Sequence, residues 1–226
     1  MIQLLSFAAV LADLAPCRHL RVAINYGNPV LARPDPSTGA AQGVSVDLAA
    51  ALGARLGVQV EHVTFDAAGK VFDGMKTAAW DVAFLAIDPV RAEQIVFTAP
   101  YVVIEGSYLV RCDSPIRTIA DADRPGVRIA VGRGAAYDLF LTRSLKNAEL
   151  VRAETSAGAV DLFAGSDLSA ATGVRQPLLS YASTHARLVV RHGRLPRQDL
   201  RYAFAFTVFA WSNARPLELS PRPLSF

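Results

Sequence analysis

The chain has 226 residues, of which 52% are hydrophobic and 19% are charged. This is the balance of a packed globular protein rather than a disordered one. The formal net charge is +3 and the basic residues are nearly all arginines spread along the chain, which argues against the basic face of a nucleic-acid-binding protein.

The two cysteines, Cys17 and Cys112, lie far apart in the sequence and do not have the spacing of metal ligands. Neither a disulfide framework nor a zinc site is therefore predicted. The four histidines share no ligand spacing either, so no metal and no cofactor are expected.

Residues 1–19 form a leading segment whose apolar stretch is interrupted by Asp13. This stretch is too short to cross a bilayer, which needs about 20 apolar residues. No Lys or Arg precedes Arg18, so the basic start of a secretory signal is missing. An exported segment, an amphipathic leading helix and a misplaced start all stay open.

The first half of the chain alternates between strand and helix patterns. "LRVAIN" alternates as a strand that ends at Asn25, and a stretch rich in Gly, Pro and Asp follows it. "VSVDLAAALGARL" has apolar residues at every fourth position from Val44 to Leu56, which predicts a helix that ends at Gly57. "VQVEHVTF", "AGKVFDGMKTAAW" and "DVAFLAI" predict a strand, a helix and a strand that is buried on both faces.

The second half repeats this order after an extended segment, "TAPYVVIEGSYLVRCDSP". "GVRIAVGRG", "AELVRA", "LSAATGV" and "RLVVR" predict strands, and "AAYDLFLTRSL", "SAGAVDLFAGS" and "RQPLLSYASTHA" predict helices between them. Two βαβαβ units predict an α/β protein with two lobes, residues 20–104 and 105–190, each a mostly parallel sheet flanked by helices. Ligands in such sheets bind beyond the carboxyl ends of the strands, so we expect a cleft between the lobes.

Arg91 lies a few residues beyond the carboxyl end of "DVAFLAI", where such a cleft begins. Asp88 and Pro89 favour the start of a short helix at this point. A guanidinium in that turn has the fork of donors that holds a carboxylate through two hydrogen bonds. The alternative is a surface arginine that pairs with Asp88 or Glu93.

A glycine turn, "VGRGAAYD", joins a predicted strand to a predicted helix at residues 131–138. Its backbone N–H groups would suit an anion, Arg133 lies within it, and Arg175 follows a second strand of the same half. Tyr137 takes the place of the third glycine of a dinucleotide-binding motif, which argues against a nucleotide. A small carboxylate site and a purely structural turn stay open. No hydrolase, zinc or phosphate-loop motif is present, so binding is favoured over catalysis.

Five segments together resemble the extracellular solute-binding proteins of family 3, the amino-acid-type periplasmic binding proteins of ABC transporters. They are "LRVAINYGNP", "GVSVDLAAALGARLGV", "DVAFLAIDPVRAEQIVFTAPY", "GVRIAVGRGAAYDLFL" and "VDLFAGSDLSAATGV". The resemblance covers about residues 20–190. It implies a type II periplasmic binding protein-like fold that closes on a small solute as a monomer, a membrane permease as partner and a periplasmic location. Retention in the cytoplasm stays open because of the leading segment.

The resemblance also assigns the site. Arg91 falls on the carboxylate-clamping arginine, and the family's acid that receives an α-amino group is replaced by Val174. The missing acid leads us to expect an organic acid or another anion rather than an ordinary amino acid, because an unpaired buried ammonium is strongly penalised. The predicted ligand-binding residues are Asn25, Asn28, Ala86, Arg91, Gly132, Arg133, Gly134, Ala135, Ala136 and Arg175.

The chain departs from the family pattern after about residue 190. Residues 191–226 do not resemble the return to the first lobe and are predicted to stand in its place. An aberrant end and a divergent tail that covers the first lobe both stay open.

An enzyme on the same scaffold is the alternative function. Cyclohexadienyl dehydratases resemble this family and remove water and carbon dioxide from a prephenate-like acid. That chemistry needs a general acid in the cleft, for which Asp66, Asp88 and Glu105 are the candidates.

Overall fold

The computed structural model describes residues 11–12, 14–15 and 17–191 and the backbone of 203–208. Eleven strands lie in this part of the chain. They are β1 (His19–Asn25), β2 (Arg33–Pro34), β3 (Ala41–Gln42), β4 (Gln59–Phe65), β5 (Val82–Ala86), β6 (Val102–Arg111), β7 (Arg128–Gly132), β8 (Glu149–Ala153), β9 (Ala170–Val174), β10 (Leu188–Arg191) and β11 (Ala203–Val208).

Seven α-helices connect the strands of the described chain. They are α1 (Val44–Leu56), α2 (Ala68–Gly74), α3 (Pro89–Ala92), α4 (Ile119–Ala122), α5 (Ala136–Ser144), α6 (Ser156–Ala164) and α7 (Arg175–Ser183). A 3-10 turn, Met75–Thr77, extends α2. We call β1–β5 with α1–α3 the first lobe and β7–β10 with α4–α7 the second lobe. The predicted α/β fold with mostly parallel sheets is confirmed.

The strands of both lobes follow the predicted parallel arrangement. In the first lobe β1 lies between β4 and β5 and is parallel to both. In the second lobe β7 lies between β8 and β9 and is parallel to both. All six strands therefore belong to βαβ crossovers, and their carboxyl ends supply the loops of the cleft.

The long strand β6 joins the two lobes. Its first part, Val102 to Glu105, pairs with β11, and its next residues, Gly106 to Leu109, pair with β9. Strand β10 pairs with the end of β6 in the antiparallel direction. Because one strand contributes to both sheets, the lobes are tied together through a continuous backbone ladder.

Strand β11 lies within residues 191–226, for which an aberrant end and a divergent tail were both left open. Residues 203–208 lie antiparallel between β5 and β6, with Phe206 opposite both Ala86 and Val102. This pairing agrees with the alternative of a divergent tail that covers the first lobe.

The uninterrupted apolar run of β5 is explained by packing on both of its faces. Ala83 and Leu85 pack with Val71 and Trp80 on one side. The alternate residues Val82 and Phe84 belong to the cluster that covers the other side, under α1. All five residues of β5 are buried, as expected for a strand with helices above and below it.

The lobes are in contact in this structure. A buried apolar cluster contains Leu31 and Ala86 from the first lobe and Ala135, Ala136 and Tyr137 from the second. Within the described residues, no helix is both long enough and apolar enough to cross a membrane.

Candidate functional site

Arg91 lies at the carboxyl end of β5, as the sequence predicted. Strand β5 ends at Ala86, Asp88 caps α3 by accepting a hydrogen bond from the N–H of Val90, and Pro89 begins the helix. One turn later, Arg91 points inward and is only 1% exposed. The short helix therefore turns a long cationic side chain into the interface between the lobes.

The Arg91 guanidinium bonds to carbonyl groups and to no described carboxylate. Nη1 donates to the Ala86 carbonyl at 2.9 Å, and Nη2 donates to the Gly134 carbonyl of the second lobe at 2.8 Å. Nε is buried and has no hydrogen-bond partner in the described part of the chain. The alternative of a surface arginine paired with Asp88 or Glu93 is therefore wrong.

Asp88 is instead bound by the second lobe. Its carboxylate accepts hydrogen bonds from Arg143 of α5, at 2.7 Å from Nη2 and 3.2 Å from Nη1. The Asp88 side chain is 4% exposed, whereas that of Arg143 is 38% exposed. The negative charge of Asp88, three residues before Arg91, is thus neutralised from across the cleft.

Burial and charge act on Arg91 in opposite directions. Burial lowers the pKa of Arg91 and the nearby charge of Asp88 raises it, so that the pKa lies at about 10, below its ordinary value. At neutral pH the guanidinium is still charged. Arg91 is thus a buried cation with two carbonyl contacts and no direct carboxylate partner among the described residues.

The glycine turn after β7 contacts Arg91 through the carbonyl of Gly134. The N–H groups of Arg133, Gly134 and Ala135 bond to the Ala153 carbonyl, the Asp138 carboxylate and the Gly132 carbonyl, at 2.8, 2.8 and 3.1 Å. The predicted anion cradle of Gly132 to Ala136 therefore has three of its donors engaged within the chain in this conformation. The acceptor of the Gly134 N–H, Asp138, is buried at 3% exposure.

The backbones of the two lobes are in contact at Gly69 of the first lobe and Gly134 of the second. A Cβ atom placed on Gly134 would lie 2.8 Å from the Cα of Gly69, and one placed on Gly69 would lie 2.7 Å from the Arg133 carbonyl oxygen. Gly134 also has a φ of +67°, which disfavours other residues. Glycine at both positions permits this contact between backbones.

A small cavity of about 190 Å³ opens beside this contact. Arg91, Arg133 and Lys70 line it together, but Arg133 pairs with Glu154 at 3.3 Å and Lys70 pairs with Asp66 at 2.8 Å. Among the described cations of this lining, Arg91 alone lacks a carboxylate partner. The complete lining is Gly69, Lys70, Phe72, Asp73, Val90, Arg91, Arg133, Gly134, Leu139 and Glu154.

The predicted convergence of three arginines is only partly observed. Arg91 and Arg133 share the small cavity, whereas Arg175 lies elsewhere, at the first residue of α7. Its Nη1 is 3.8 Å from the carboxylate of Glu105 on β6. Arg175 follows the end of β9, and β9 pairs with β6. Arg175 therefore lies next to Glu105 of β6 rather than next to Arg91.

The other predicted residues lie at the ends of β1 and β5. The Asn25 side chain accepts a hydrogen bond from the N–H of Gly27 at 2.9 Å, and Ala86 contributes its carbonyl to Arg91. Asn28 is 5% exposed, and neither polar atom of its side-chain amide has a hydrogen-bond partner among the described residues. Ala135 and Ala136 are buried in the apolar cluster between the lobes.

A larger cavity of about 380 Å³ lies between the lobes, and sequence reasoning missed most of its residues. Val174, which takes the place of the family's acid, lines this cavity together with the carboxylates of Asp66 and Asp161. Tyr26 directly follows the end of β1, which is the signal that could have found it, whereas Asp66, at the end of β4, was named as a candidate general acid. The lining is Tyr26, Gly27, Pro29, Asp66, Thr155, Ser156, Ala157, Val160, Asp161, Gly173, Val174, Pro177, Leu178 and Tyr181.

The described residues contain no group of three or more His, Cys, Asp or Glu side chains that could hold a metal ion. The chemistry of the interface between the lobes is therefore that of carboxylates, arginines and backbone groups. Such an arrangement binds and orients a small molecule.

Comparison with known proteins supports this assignment. The profile of the bacterial extracellular solute-binding proteins, family 3, matches residues 20–210. The chain belongs to this family. The match extends to residue 210 and thus includes β11, in agreement with the return of the chain to the first lobe. A search of curated proteins gave no significant match.

Solved structures of solute-binding proteins share the fold. An ancestral amino-acid-binding protein, a precursor of cyclohexadienyl dehydratase, is 23% identical over 88% of this chain and 85% of its own, with a TM-score of 0.70. An amino-acid ABC transporter substrate-binding protein from Streptococcus pneumoniae bound to L-arginine is 21% identical over 90% and 85%, with a TM-score of 0.72. A cysteine-binding protein from Campylobacter jejuni is 18% identical over 90% and 80%, with a TM-score of 0.73.

Proposed function

We propose that this chain is the solute-binding component of an ABC-type uptake system and closes its two lobes over a small anionic solute. Arg91 receives the anionic group of the solute in the interface between the lobes. The family membership supports a binding role, a periplasmic location and a membrane permease as partner. A permease would recognise the closed state, because the solute favours that conformation.

One observation carries the anionic character of the solute. Arg91 is almost completely buried and no described carboxylate bonds to it, although Asp88 lies three residues earlier. Burying a charge without a counter-charge is costly. A solute carboxylate would remove this cost, and hydrogen bonds to a charged group contribute about 1.5–3 kcal/mol each.

The nature of the rest of the solute depends on the larger cavity. Val174 occupies the place of the family's ammonium-binding acid, which favours an organic acid. Asp66 and Asp161 line the same cavity, however, so the loss of the acid at position 174 does not by itself exclude a solute with an ammonium group. The test must therefore compare carboxylic acids with and without an amine.

A thermal melt in the presence of candidate solutes tests this function. Acetate, succinate, phenylpyruvate, L-alanine and L-arginine would be added separately at high concentration. A solute at a hundred times its dissociation constant stabilises by about 2.7 kcal/mol, which raises the melting temperature by about 5–10 °C for a chain of this size. Arg91→Gln should abolish the shift.

Arg128→Gln is the matched control for this experiment. Arg128 is an exposed arginine of β7 that pairs with Glu149 at 3.6 Å on the same lobe. Its variant should keep the full shift. A shift that survives Arg91→Gln would contradict the role of the clamp, and the absence of any shift in the unmodified chain would contradict the proposed function.

A dehydratase is the second candidate function. Among the three candidate general acids, the position of Asp66 fits this role best. Each of the three candidate acids lies within 4 Å of a cation, namely Lys70 for Asp66, Arg143 for Asp88 and Arg175 for Glu105. Asp66 is the one of the three that lines the larger cavity between the lobes. An acid in that cavity could protonate the hydroxyl group that leaves with the loss of carbon dioxide. Formation of phenylpyruvate from prephenate, lost in Asp66→Asn, would establish this activity.

A further inference from the structure

Asp88, Arg91 and Arg143 form a set of three charges at the interface between the lobes. Asp88 and Arg91 belong to the same turn of the first lobe, and Arg143 belongs to α5 of the second lobe. Two hydrogen bonds, of 2.7 and 3.2 Å, join Arg143 to Asp88. Both Asp88 and Arg91 are buried, at 4% and 1% exposure, so solvent screens their charges little.

Asp88 is the natural competitor of a solute anion for Arg91. Residues three apart in a helical turn lie on the same side of it, and the charge of Asp88 already acts on Arg91 in this structure. Besides Arg143, the described donor to the Asp88 side chain is the N–H of Val90. If Arg143 were absent, Arg91 would be the nearest cation of the same turn.

We propose that Arg143 is a specificity-determining residue, which holds the charge of Asp88 so that Arg91 is left to bind an anionic solute. This inference rests on the proposed function of the chain. Asp88 and Arg143 lie on different lobes, so their ion pair forms when the lobes close. In this structure Asp88 is thus held by Arg143, while Nε of the neighbouring Arg91 has no hydrogen-bond partner among the described residues.

The balance of charges explains why an anion is selected. Asp88, Arg91 and Arg143 together carry a net charge of +1. A bound monocarboxylate would bring this net charge to zero. Without the charge of Arg143, Asp88, Arg91 and the bound solute would together carry a net charge of −1. A net charge in a buried site is unfavourable. Arg143 therefore affects solute binding through Asp88, without touching the solute.

Calorimetric titration of four chains with acetate, succinate and phenylpyruvate tests this role. The chains are the unmodified protein, Arg143→Gln, the double variant Asp88→Asn with Arg143→Gln, and Arg128→Gln. Asn at position 88 retains the ability to cap α3 but carries no charge. A melt of each chain without solute establishes that it folds.

We expect Arg143→Gln to lower the affinity for the tightest-binding of the three anions by about tenfold or more, as truncation of one partner of a buried charge pair does. The double variant should recover most of that loss, because the competing charge of Asp88 is gone. Arg128→Gln should bind as the unmodified protein does.

Two results would overturn the inference alone: unchanged binding in Arg143→Gln, or a double variant that binds as weakly as the single one. The second result would mean that Arg143 only fastens the lobes together or contacts the solute itself. An unmodified chain that binds none of the three anions would instead overturn the proposed function, and the inference with it.

Discussion

Nη2 of Arg91 donates a hydrogen bond of 2.8 Å to the carbonyl of Gly134, and this bond crosses from the first lobe to the second. A carbonyl that accepts from a guanidinium occupies a donor that a carboxylate would otherwise use. The contact between the lobes and the binding of an anion therefore depend on the same side chain.

Arg91→Lys should weaken anion binding although it retains the positive charge. A lysine has a single ammonium group and cannot reach the Ala86 carbonyl, the Gly134 carbonyl and a solute with the fork that a guanidinium provides. Loss of one or two hydrogen bonds to a charged group corresponds to a fall in affinity of about 10- to 100-fold.

Isothermal titration measures this fall, and Arg128→Lys is the control at an exposed position. If Arg91→Lys binds as tightly as the unmodified chain, charge alone is sufficient and the two-pronged clamp is wrong.

Gly134→Ala should hold the lobes apart. The added Cβ atom would lie 2.8 Å from the Cα of Gly69 on the opposite lobe, so the observed contact cannot form without a shift of the backbone. Small-angle scattering should show a larger radius of gyration, and the affinity for the solute should fall.

Gly126→Ala separates this clash from backbone strain. Gly126 has a φ of +82°, comparable with the +67° of Gly134, but nothing lies within 4 Å of its added Cβ atom. Both variants lose about 1–2 kcal/mol of stability from a left-handed conformation without glycine. An open conformation in both variants would attribute the effect to strain and contradict the role of the contact.

Val174→Asp should extend binding to amino acids. Val174 is half-buried at the end of β9 and lines the larger cavity between the lobes. A carboxylate there could accept an ammonium group, and one such charged hydrogen bond corresponds to a gain in affinity of about tenfold. Thermal melts with L-alanine and with propionate compare a solute with and without the amine.

Leu179→Asp is the control for added charge, since Leu179 is 43% exposed on α7 and is not part of the cavity lining. A response to L-alanine in Leu179→Asp, or none in Val174→Asp, would show that position 174 does not face the amine.

Strand β11 should contribute to the stability of the first lobe. A chain that ends at Val208 retains the strand between β5 and β6, whereas a chain that ends at Arg191 exposes the hydrogen-bonding edges of both. We expect the shorter chain to melt several degrees lower and to aggregate more readily. Equal melting temperatures would mean that residues 203–208 add nothing to the lobe.

The local sequence was sufficient for most of the longer strands and helices. The fourfold spacing from Val44 to Leu56 predicted α1 but not its buried face, which consists of Ser45, Ala49, Gly53 and Leu56. The apolar run of β5 did report the burial of its own segment. Because a crossover between parallel strands has one hand, these patterns also predicted two α/β units and the strand ends at which Arg91 lies. The strand β11 escaped prediction because its partners, β5 and β6, lie about a hundred residues or more away in the chain.

The tertiary structure decided which charges meet. The sequence offered Arg91 as the carboxylate clamp and Arg133 and Arg175 as two further arginines near strand ends, and it offered Asp88 as an alternative partner for Arg91. Only the contact between the lobes assigned Glu154 to Arg133 and Arg143 to Asp88, and so left Arg91 buried without a carboxylate. Ion pairs depend on distances of a few ångströms between residues far apart in the chain, and no local pattern encodes those distances.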